Sequence, residues 1–260
     1  ELTYRRFFDV STLAAVRVED PEVFAATHGE VLAWVEAGDV DGLRVDHPDG
    51  LSDPGGFARR LRAAIGPDRW LLVEKILGVG EELPVSWPVD GTSGYEALRE
   101  ICGVFVDPDG AGLLTQVTAE HLGRRENAHA VEHAARREVA DTILAAEVRR
   151  IAALVPLAPT DDGPGAAAEE AVAELLCGFP VYRSYLPEGR SALETAVSVA
   201  RAHRPDLAEV LATIRDTMLA DPDGELATRV QQTSGMVMAK GVEDTAFYRY
   251  NRLVALNEVG

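Results

Sequence analysis

Two apolar segments of this chain each end in an acidic residue, and these acids are the residues best suited to chemistry. Residues 42–47 contain Asp46, and residues 70–75 contain Glu74. About one helix of sequence separates the segments, which is typical of neighbouring parallel strands that bring both acids to one edge of a sheet. Paired carboxyl groups at such an edge suit glycosidic-bond chemistry, in which one acid is the nucleophile and the other the proton donor.

Neighbouring residues predict different roles for the two acids. Arg44 precedes Asp46 by two positions and so lies on the same side of the strand, where its charge and forked hydrogen bonds would keep the carboxylate ionised. Glu74 follows four apolar residues, and desolvation by Trp70 and Leu72 would favour its protonated form, as a proton donor requires. A strand that ends in a solvated turn explains either acid alone, but the two acids together favour a site.

Two helices must position these strands. Asp20 and Asp53 each precede a proline, the pattern of an N-cap followed by the first helical position, and Gly38 and Gly66 predict the helix ends. The predicted strands are residues 40–46 and 70–74. Helix and strand alternate here as in a βα repeat, which predicts parallel strands with a right-handed crossover.

The remainder of the chain is predicted to be mainly helical. Residues 78–91 hold glycine, proline and acidic residues and indicate a long loop, after which Thr92 is interpreted as the cap of a helix that runs through Phe105. Residues 118–155 are rich in Ala, Glu, Arg and Leu and carry no strand signal. Further helices are predicted at 166–177, 191–203, 206–219 and 226–239, a linker at 161–165, and short strands at 179–183 and 253–256.

The predicted fold class is therefore α/β and mostly helical. A few parallel strands with their helices occupy residues 1–110, a helical insertion occupies residues 111–225, and residues 226–260 return to the first part. The chain starts at Glu1 with neither a methionine nor a signal-peptide pattern, and it ends directly after an apolar run. We therefore expect a piece of a longer protein.

Composition narrows the possible partners. The formal net charge of −18 argues against nucleic acid and against anionic membrane surfaces, and no run approaches 18 apolar residues, so no membrane span is expected. Cys102 and Cys177 are too few and too far apart for a disulfide framework, which favours the cytoplasm. Lys75 and Lys240 are the only lysines among 25 basic residues, and both lie in segments of interest. We expect no cofactor.

Two further motifs have competing interpretations. Residues 129–133 match H-x-x-E-H, the inverted zinc-peptidase pattern, but the surrounding segment is typical of a solvated helix, so we expect no metal site. Residues 231–235 and 238–248 combine amides, charges, glycines and aromatics, as carbohydrate sites do. A buried polar network that fixes a helix end explains the second pattern equally well.

Several segments together resemble the α-amylase clan, glycoside hydrolase family 13. Residues 41–54 resemble its second signature segment, and residues 71–77 resemble its third. Further stretches resemble one branch of the clan, namely 4–9 (Tyr-Arg-Arg-Phe-Phe-Asp), 91–95, 179–183, 238–248 and 256–260. That branch converts the reducing-end α-1,4 linkage of a maltooligosaccharide into an α,α-1,1 linkage.

The resemblance implies a (β/α)8 barrel with a helical insertion, of which this chain would hold a part. It implies that Asp46 is the nucleophile and Glu74 the general acid/base of a retaining mechanism, with the carboxyl groups about 5–5.5 Å apart. The implied substrate-binding residues are Arg44, His47, Lys75, Tyr95, Lys240, Glu243 and Asp244. The clan's first and fourth signature segments are expected before residue 1 and after residue 260, so we expect the rest of the parent chain to complete the barrel and this chain alone to be inactive.

Two other functions stay open at this point. An ordinary α-glucan hydrolase of the same clan would use the same acid pair but release reducing ends. A non-enzymatic helical scaffold would retain the acids without using them.

Overall fold

The computed structural model describes residues 4–123, 125, 127–157 and 165–250, and this part of the chain is mostly helical. The strands are β1 (Arg6–Phe7), β2 (Val10–Ala14), β3 (Gly42–Val45), β4 (Trp70–Val73) and β5 (Gly91–Thr92). The helices are α1 (Pro21–Ala37), α2 (Pro54–Ile65), α3 (Tyr95–Gly103), α4 (Ala111–Leu122), α5 (Ala128–Asp141), α6 (Ala145–Ala152), α7 (Gly165–Gly178), α8 (Arg190–His203), α9 (Ala208–Ala220) and α10 (Glu225–Met238). Among the described residues, no helix combines the length and hydropathy of a membrane span.

The predicted parallel unit is present. β3, β4 and β5 form a parallel sheet in that order, and Val45 on β3 is in register with Val73 on β4. Asp20 accepts hydrogen bonds from the first backbone amides of α1, and Asp53 does the same for α2, so both predicted N-caps are confirmed. The chain before α1, interpreted from sequence as a loop leading into a short element, instead holds the antiparallel pair β1–β2.

The two faces of the parallel sheet differ. One face packs against α1 and α2, where Leu71 of β4 is fully buried with Phe24, Phe57 and Leu61. The other face is open among the described residues, and Trp70 is 70% exposed there. An open depression of about 580 Å³ lies on that face, between β3 and β4. The alternation of the strands therefore directs every second residue toward this open face, including Arg44, which lies two positions before Asp46.

A second, larger core lies among α5 to α10. Its most deeply buried side chains include Leu175, Leu193, Leu211, Ile214, Met218 and Val237. α7 and α8 approach closely because Gly178 has no side chain: a Cβ there would lie 2.5 Å from the carbonyl oxygen of Ala196. α10 contributes Leu226 and Val230 to this core, so the helix expected to return to the first part packs in the helical core.

Some predicted elements differ from the structure. Residues 179–183 form no strand. Their backbone is irregular, with bends, and connects α7 to α8. The helix after Thr92 begins at Tyr95 with Gly94 as N-cap and ends at Gly103, so Phe105 lies outside it. α10 continues as a π-helix over Ala239–Ala246 and then one helical turn, Phe247–Arg249. The predicted strand at 253–256 lies outside the described residues, as do residues 161–164 of the predicted linker.

Candidate active site

Asp46 and Glu74 follow neighbouring parallel strands at equivalent positions. Val45 pairs with Val73, and each acid is the next residue along its chain. The backbone amide of Glu74 donates to the carbonyl of Val45 at 2.8 Å, so the ladder extends to the acids themselves. The sheet thus places both carboxyl groups at one edge, as the sequence predicts.

Arg44 joins the two carboxylates. Its Nη1 lies 3.0 Å from Oδ1 of Asp46, and its Nη2 lies 2.9 Å from Oε1 of Glu74. Two oxygens bound to the two ends of one planar guanidinium lie at most roughly 8 Å apart. The guanidinium also donates from Nε to the hydroxyl of Ser93, 3.2 Å away, which fixes its plane. The acids therefore share one positive charge on the open side of the sheet.

The surroundings of Glu74 are polar rather than apolar. Its side chain is 23% exposed, against 65% for Asp46, and its Oε1 also accepts the hydroxyl proton of Tyr95 at 3.0 Å. Its Oε2 accepts the backbone amide of His47 at 3.0 Å. The expected shielding by Trp70 is absent, because that indole points to solvent lower on the strand. Three donors hold Glu74 in one position instead.

His47 lies in a strained and largely enclosed position. Its backbone is left-handed, with φ of 46°, and this turn aims its amide at Glu74. The imidazole packs against the rings of Phe7 and Phe8, with centroids 5.5 and 4.7 Å away. Burial lowers the pKa of His47 below its ordinary value of 6.5. A neutral imidazole is therefore held beside the acid pair.

Tyr95 is organised as a hydrogen-bond donor. Burial and then the hydrogen bond to Glu74 raise the pKa of the phenol above its ordinary value. The ring stays protonated across neutral pH, so its hydroxyl proton remains on the Glu74 side. Tyr95 and Glu74 come from different elements, α3 and the end of β4, so this bond also connects the helix to the sheet.

Lys75 is not on the solvent side of the acid pair. Its side chain is completely buried, and its ammonium lies 3.2 Å from Oε1 of Glu81 and 3.5 Å from Oδ2 of Asp49. The predicted substrate contact of Lys75 finds no support in this arrangement, since the alternation of the strand turns its side chain away from Glu74 and into the protein.

The second lysine region lies close to His47. Lys240, at the start of the π-helix, pairs with Asp244 at 2.8 Å and with Asp9 at 3.7 Å. Its ammonium lies 5.5 Å from the centre of the Phe8 ring, which packs on His47. Glu243 is half-buried on the same π-helical turn. A π-helix frequently marks a functional segment, and here it places a cation beside the ring that packs on His47.

Sequence reasoning missed the residues that support the site from beneath. Arg183 and Tyr185 hold the segment after Asp46, and Ser93 holds Arg44. The Phe-Phe-Asp run of residues 7–9 carries no chemical signal of its own beyond the family resemblance. In the structure, however, the Phe8 ring packs between the Lys240 ammonium and the His47 imidazole. No spacing rule predicts such contacts, because the partners lie far apart in the chain.

The zinc-peptidase interpretation gains no support. The His129 side chain is exposed, while His133 Nε2 lies 2.9 Å from Glu174 Oε2 and stacks on the ring of His203. Within the described part of the chain, no group of three His, Cys, Asp or Glu residues is arranged to hold a metal ion.

Comparison with known proteins gives a consistent family. A protein of Mycobacterium tuberculosis that carries the provisional name maltooligosyl trehalose synthase is 44% identical over 257 residues, which is 99% of this chain and 33% of that protein. The solved maltooligosyltrehalose synthase of Arthrobacter ramosus is 49% identical with a TM-score of 0.90, over 97% of this chain and 32% of that one. A hypothetical maltooligosyl trehalose synthase of Sulfolobus tokodaii has 28% identity and a TM-score of 0.76, over 96% of this chain and 31% of that one.

No family model matches the sequence. The similarity to the solved structure from Arthrobacter ramosus nevertheless extends over 97% of this chain. The chain is similar along nearly its whole length to maltooligosyl trehalose synthases, and it spans about a third of the length of the relatives that it matches.

Proposed function

We propose that this chain supplies the nucleophile and the general acid/base of an intramolecular transglycosylation in a full-length protein of this family. The substrate is a maltooligosaccharide, whose reducing-end α-1,4 linkage becomes an α,α-1,1 linkage. One observation carries the proposal: Asp46 and Glu74 end adjacent parallel strands and bind the same guanidinium of Arg44. The family relationship supports the same reaction class.

The proposed mechanism is a retaining double displacement. The carboxylate of Asp46 attacks the anomeric carbon of the penultimate glucose while Glu74 gives its proton to the departing glycosidic oxygen, which leaves a covalent glycosyl-enzyme and a free glucose. Glu74 then takes the proton from the anomeric hydroxyl of that glucose, and the oxygen attacks the same carbon and releases Asp46. The glucose is held rather than released, so the transfer is an isomerisation.

Other residues would serve this reaction by position. Arg44 orients Asp46 and Glu74 before substrate arrives, and Tyr95 keeps one oxygen of Glu74 fixed. His47 presents a neutral imidazole that can hydrogen-bond sugar hydroxyls. Lys240 is a further candidate substrate contact, and its ammonium lies beside the Phe8 ring. Glu243 and Asp244, on the same π-helical turn, remain proposed substrate-binding residues.

We further propose that β3, β4 and β5 are part of a (β/α)8 barrel. The open sheet face, with Trp70 and the depression beside it, would then be the interior that further strands enclose. The catalytic ends of the strands would form the top of that barrel. This arrangement places residues 1–110 in the barrel and the core of α5 to α10 in an inserted helical domain. The proposed boundary at 225/226 lies at the start of α10, which packs in the helical core.

The proposal is tested by neutralising each acid in a full-length protein that carries this sequence. Asp46→Asn and Glu74→Gln are each expected to lower the formation of non-reducing product from maltopentaose by about 10³-fold or more. Asp41→Asn is the matched control, because Asp41 precedes the same strand at its opposite end with a fully exposed side chain. Loss of reducing ends and chromatography of the product provide the measurement. Either acid variant with more than a tenth of normal activity overturns the assignment.

The competing functions give different outcomes in the same assay. A hydrolase would increase reducing ends from maltopentaose, and a scaffold would leave the sugar unchanged. The 260-residue chain alone is expected to give no product, since the barrel would be incomplete. Cys102 and Cys177 are both free thiols, which supports a reducing cytoplasm as the proposed location.

A further inference from the structure

A buried charged cluster lies directly behind the acid pair. Lys75 follows Glu74 in the chain, and its side chain is completely buried. The ammonium contacts Glu81 Oε1 at 3.2 Å, Asp49 Oδ2 at 3.5 Å and the carbonyl oxygen of Ile76 at 2.8 Å. One cation therefore holds two carboxylates inside the protein.

The two carboxylates come from the two segments that carry the acids. Asp49 lies three residues after Asp46, in the 3-10 turn Pro48–Gly50, and is 5% exposed. Glu81 lies in the loop after β4, seven residues after Glu74, and accepts the amide of Gly78 at 2.8 Å. Lys75 thus joins the segment after β3 to the segment after β4.

The helical core closes this cluster from the other side. The hydroxyl of Tyr185 donates to Asp49, and the ammonium of Lys75 lies 5.6 Å from the centre of the Tyr185 ring and 5.4 Å from that of Tyr182. Arg183 donates to the carbonyl oxygens of Asp49 and Ser52 at 2.8 and 3.1 Å. No solvent replaces these contacts, because Lys75, Arg183 and Asp49 are all buried.

The charges of the cluster depend on one another. Lys75 and Arg183 balance Asp49 and Glu81, so loss of Lys75 leaves one buried and one partly buried carboxylate with a single cation. Burial raises the pKa of Glu81, and the charge of Lys75 opposes that rise. Without the ammonium, the carboxylates of Asp49 and Glu81 either repel each other or one of them takes up a proton. In either case the connection between the two segments is lost.

We propose that Lys75 is a positioning residue that fixes the separation and orientation of Asp46 and Glu74 by joining the two segments that follow them. This inference rests on the proposed function of the acid pair. The buried ammonium of Lys75 pairs with Asp49 and Glu81 rather than with the two acids, so it acts on the acids through Asp49 and Glu81. Reactions of this kind are sensitive to geometry, and a shift of about 1 Å can lower the rate about 100-fold.

The test uses Lys75→Met in a full-length protein that carries this sequence. The wild-type protein is assayed first, and its conversion of maltopentaose into non-reducing product tests the proposed function independently. In the variant, kcat is expected to fall 10- to 100-fold while KM changes less than about threefold, since the substrate contacts remain. Both are measured well below the unfolding temperature.

Glu174→Gln is the matched control. Glu174 is 5% exposed and pairs with His133 and Arg137 in the helical core, so its variant also breaks a buried ion pair. It is expected to lower Tm and leave kcat within twofold. A Lys75→Met variant that resembles this control, with lower Tm and normal kcat, overturns the proposal.

A second variant covers the case in which Lys75→Met does not fold. The double variant Lys75→Met, Glu81→Gln removes one cation and one carboxylate together and leaves Asp49 with Tyr185 and Arg183. Its kcat is expected to stay at least fivefold below the wild-type value, because nothing joins the two segments. A folded double variant with wild-type kcat would also overturn the proposal.

Discussion

Arg183 offers a quantitative test of how the helical core holds the segment that follows Asp46. Its guanidinium is buried and donates to the backbone carbonyl oxygens of Asp49, Leu51 and Ser52. In Arg183→Met these three acceptors, one in a buried and two in part-buried contacts, lose a charged donor, and each acceptor left unsatisfied costs about 1–3 kcal/mol. Relief of the guanidinium's own desolvation, which lowers the pKa of Arg183, offsets part of this cost.

We therefore expect Arg183→Met to lower the free energy of unfolding by about 3–5 kcal/mol, because the loss at three acceptors of about 1–3 kcal/mol each exceeds the relieved desolvation. Urea unfolding followed by tryptophan fluorescence is the assay, because Trp87 lies 5.0 Å from the Tyr185 ring and reports on this region. Arg190→Met is the control: that exposed arginine pairs with Glu194 on the surface of α8, and its change should stay below about 0.5 kcal/mol. A loss of less than about 1 kcal/mol for Arg183→Met refutes the reasoning.

Two other outcomes are expected. Burial lowers the pKa of His47, so its contribution to stability is fully present above pH 6.5, its ordinary pKa, and is lost as the pH falls through the lower pKa of the folded state. The free energy of unfolding should therefore fall less between pH 8 and pH 5 in His47→Gln than in the wild type. An equal fall in both proteins would contradict this. Burial raises the pKa of Cys177 to about 12, whereas Cys102 is exposed; mass spectrometry after iodoacetamide treatment of the native chain should find Cys102 alkylated and Cys177 unmodified, with both alkylated in urea, and native labelling of Cys177 would show that α7 is not packed as described.

The first third of the fold was predictable because local chemistry defines it. Asp20 and Asp53 cap α1 and α2, and the register of β3 with β4 follows from a short crossover. Arg44 and Asp46 share a strand face by simple alternation. The meeting of the two acids could therefore be predicted from spacing alone.

The surroundings of the acids could not be predicted in the same way. The donors to Glu74 depend on the left-handed turn at His47 and on where α3 begins, and neither follows from a propensity. The sequence pattern indicates that Lys75 is a charged residue at a strand end. Its burial depends on Tyr182 and Tyr185, which are distant in sequence but pack against its ammonium. Tertiary contacts of this kind override the expectation that a lysine seeks solvent.

The hydrogen bonds from Arg183 to the segment that contains Asp49 have a consequence for synthesis of the chain. Arg183 and Asp49 are 134 positions apart, whereas the two acids are separated by a single crossover. At ordinary rates of translation, roughly 7 to 27 seconds pass between the emergence of these two residues from the ribosome. During that interval the strands that carry Asp46 and Glu74 have been synthesised but Arg183 has not. The nascent chain therefore contains both acids before it contains the residue that fixes the segment after Asp46.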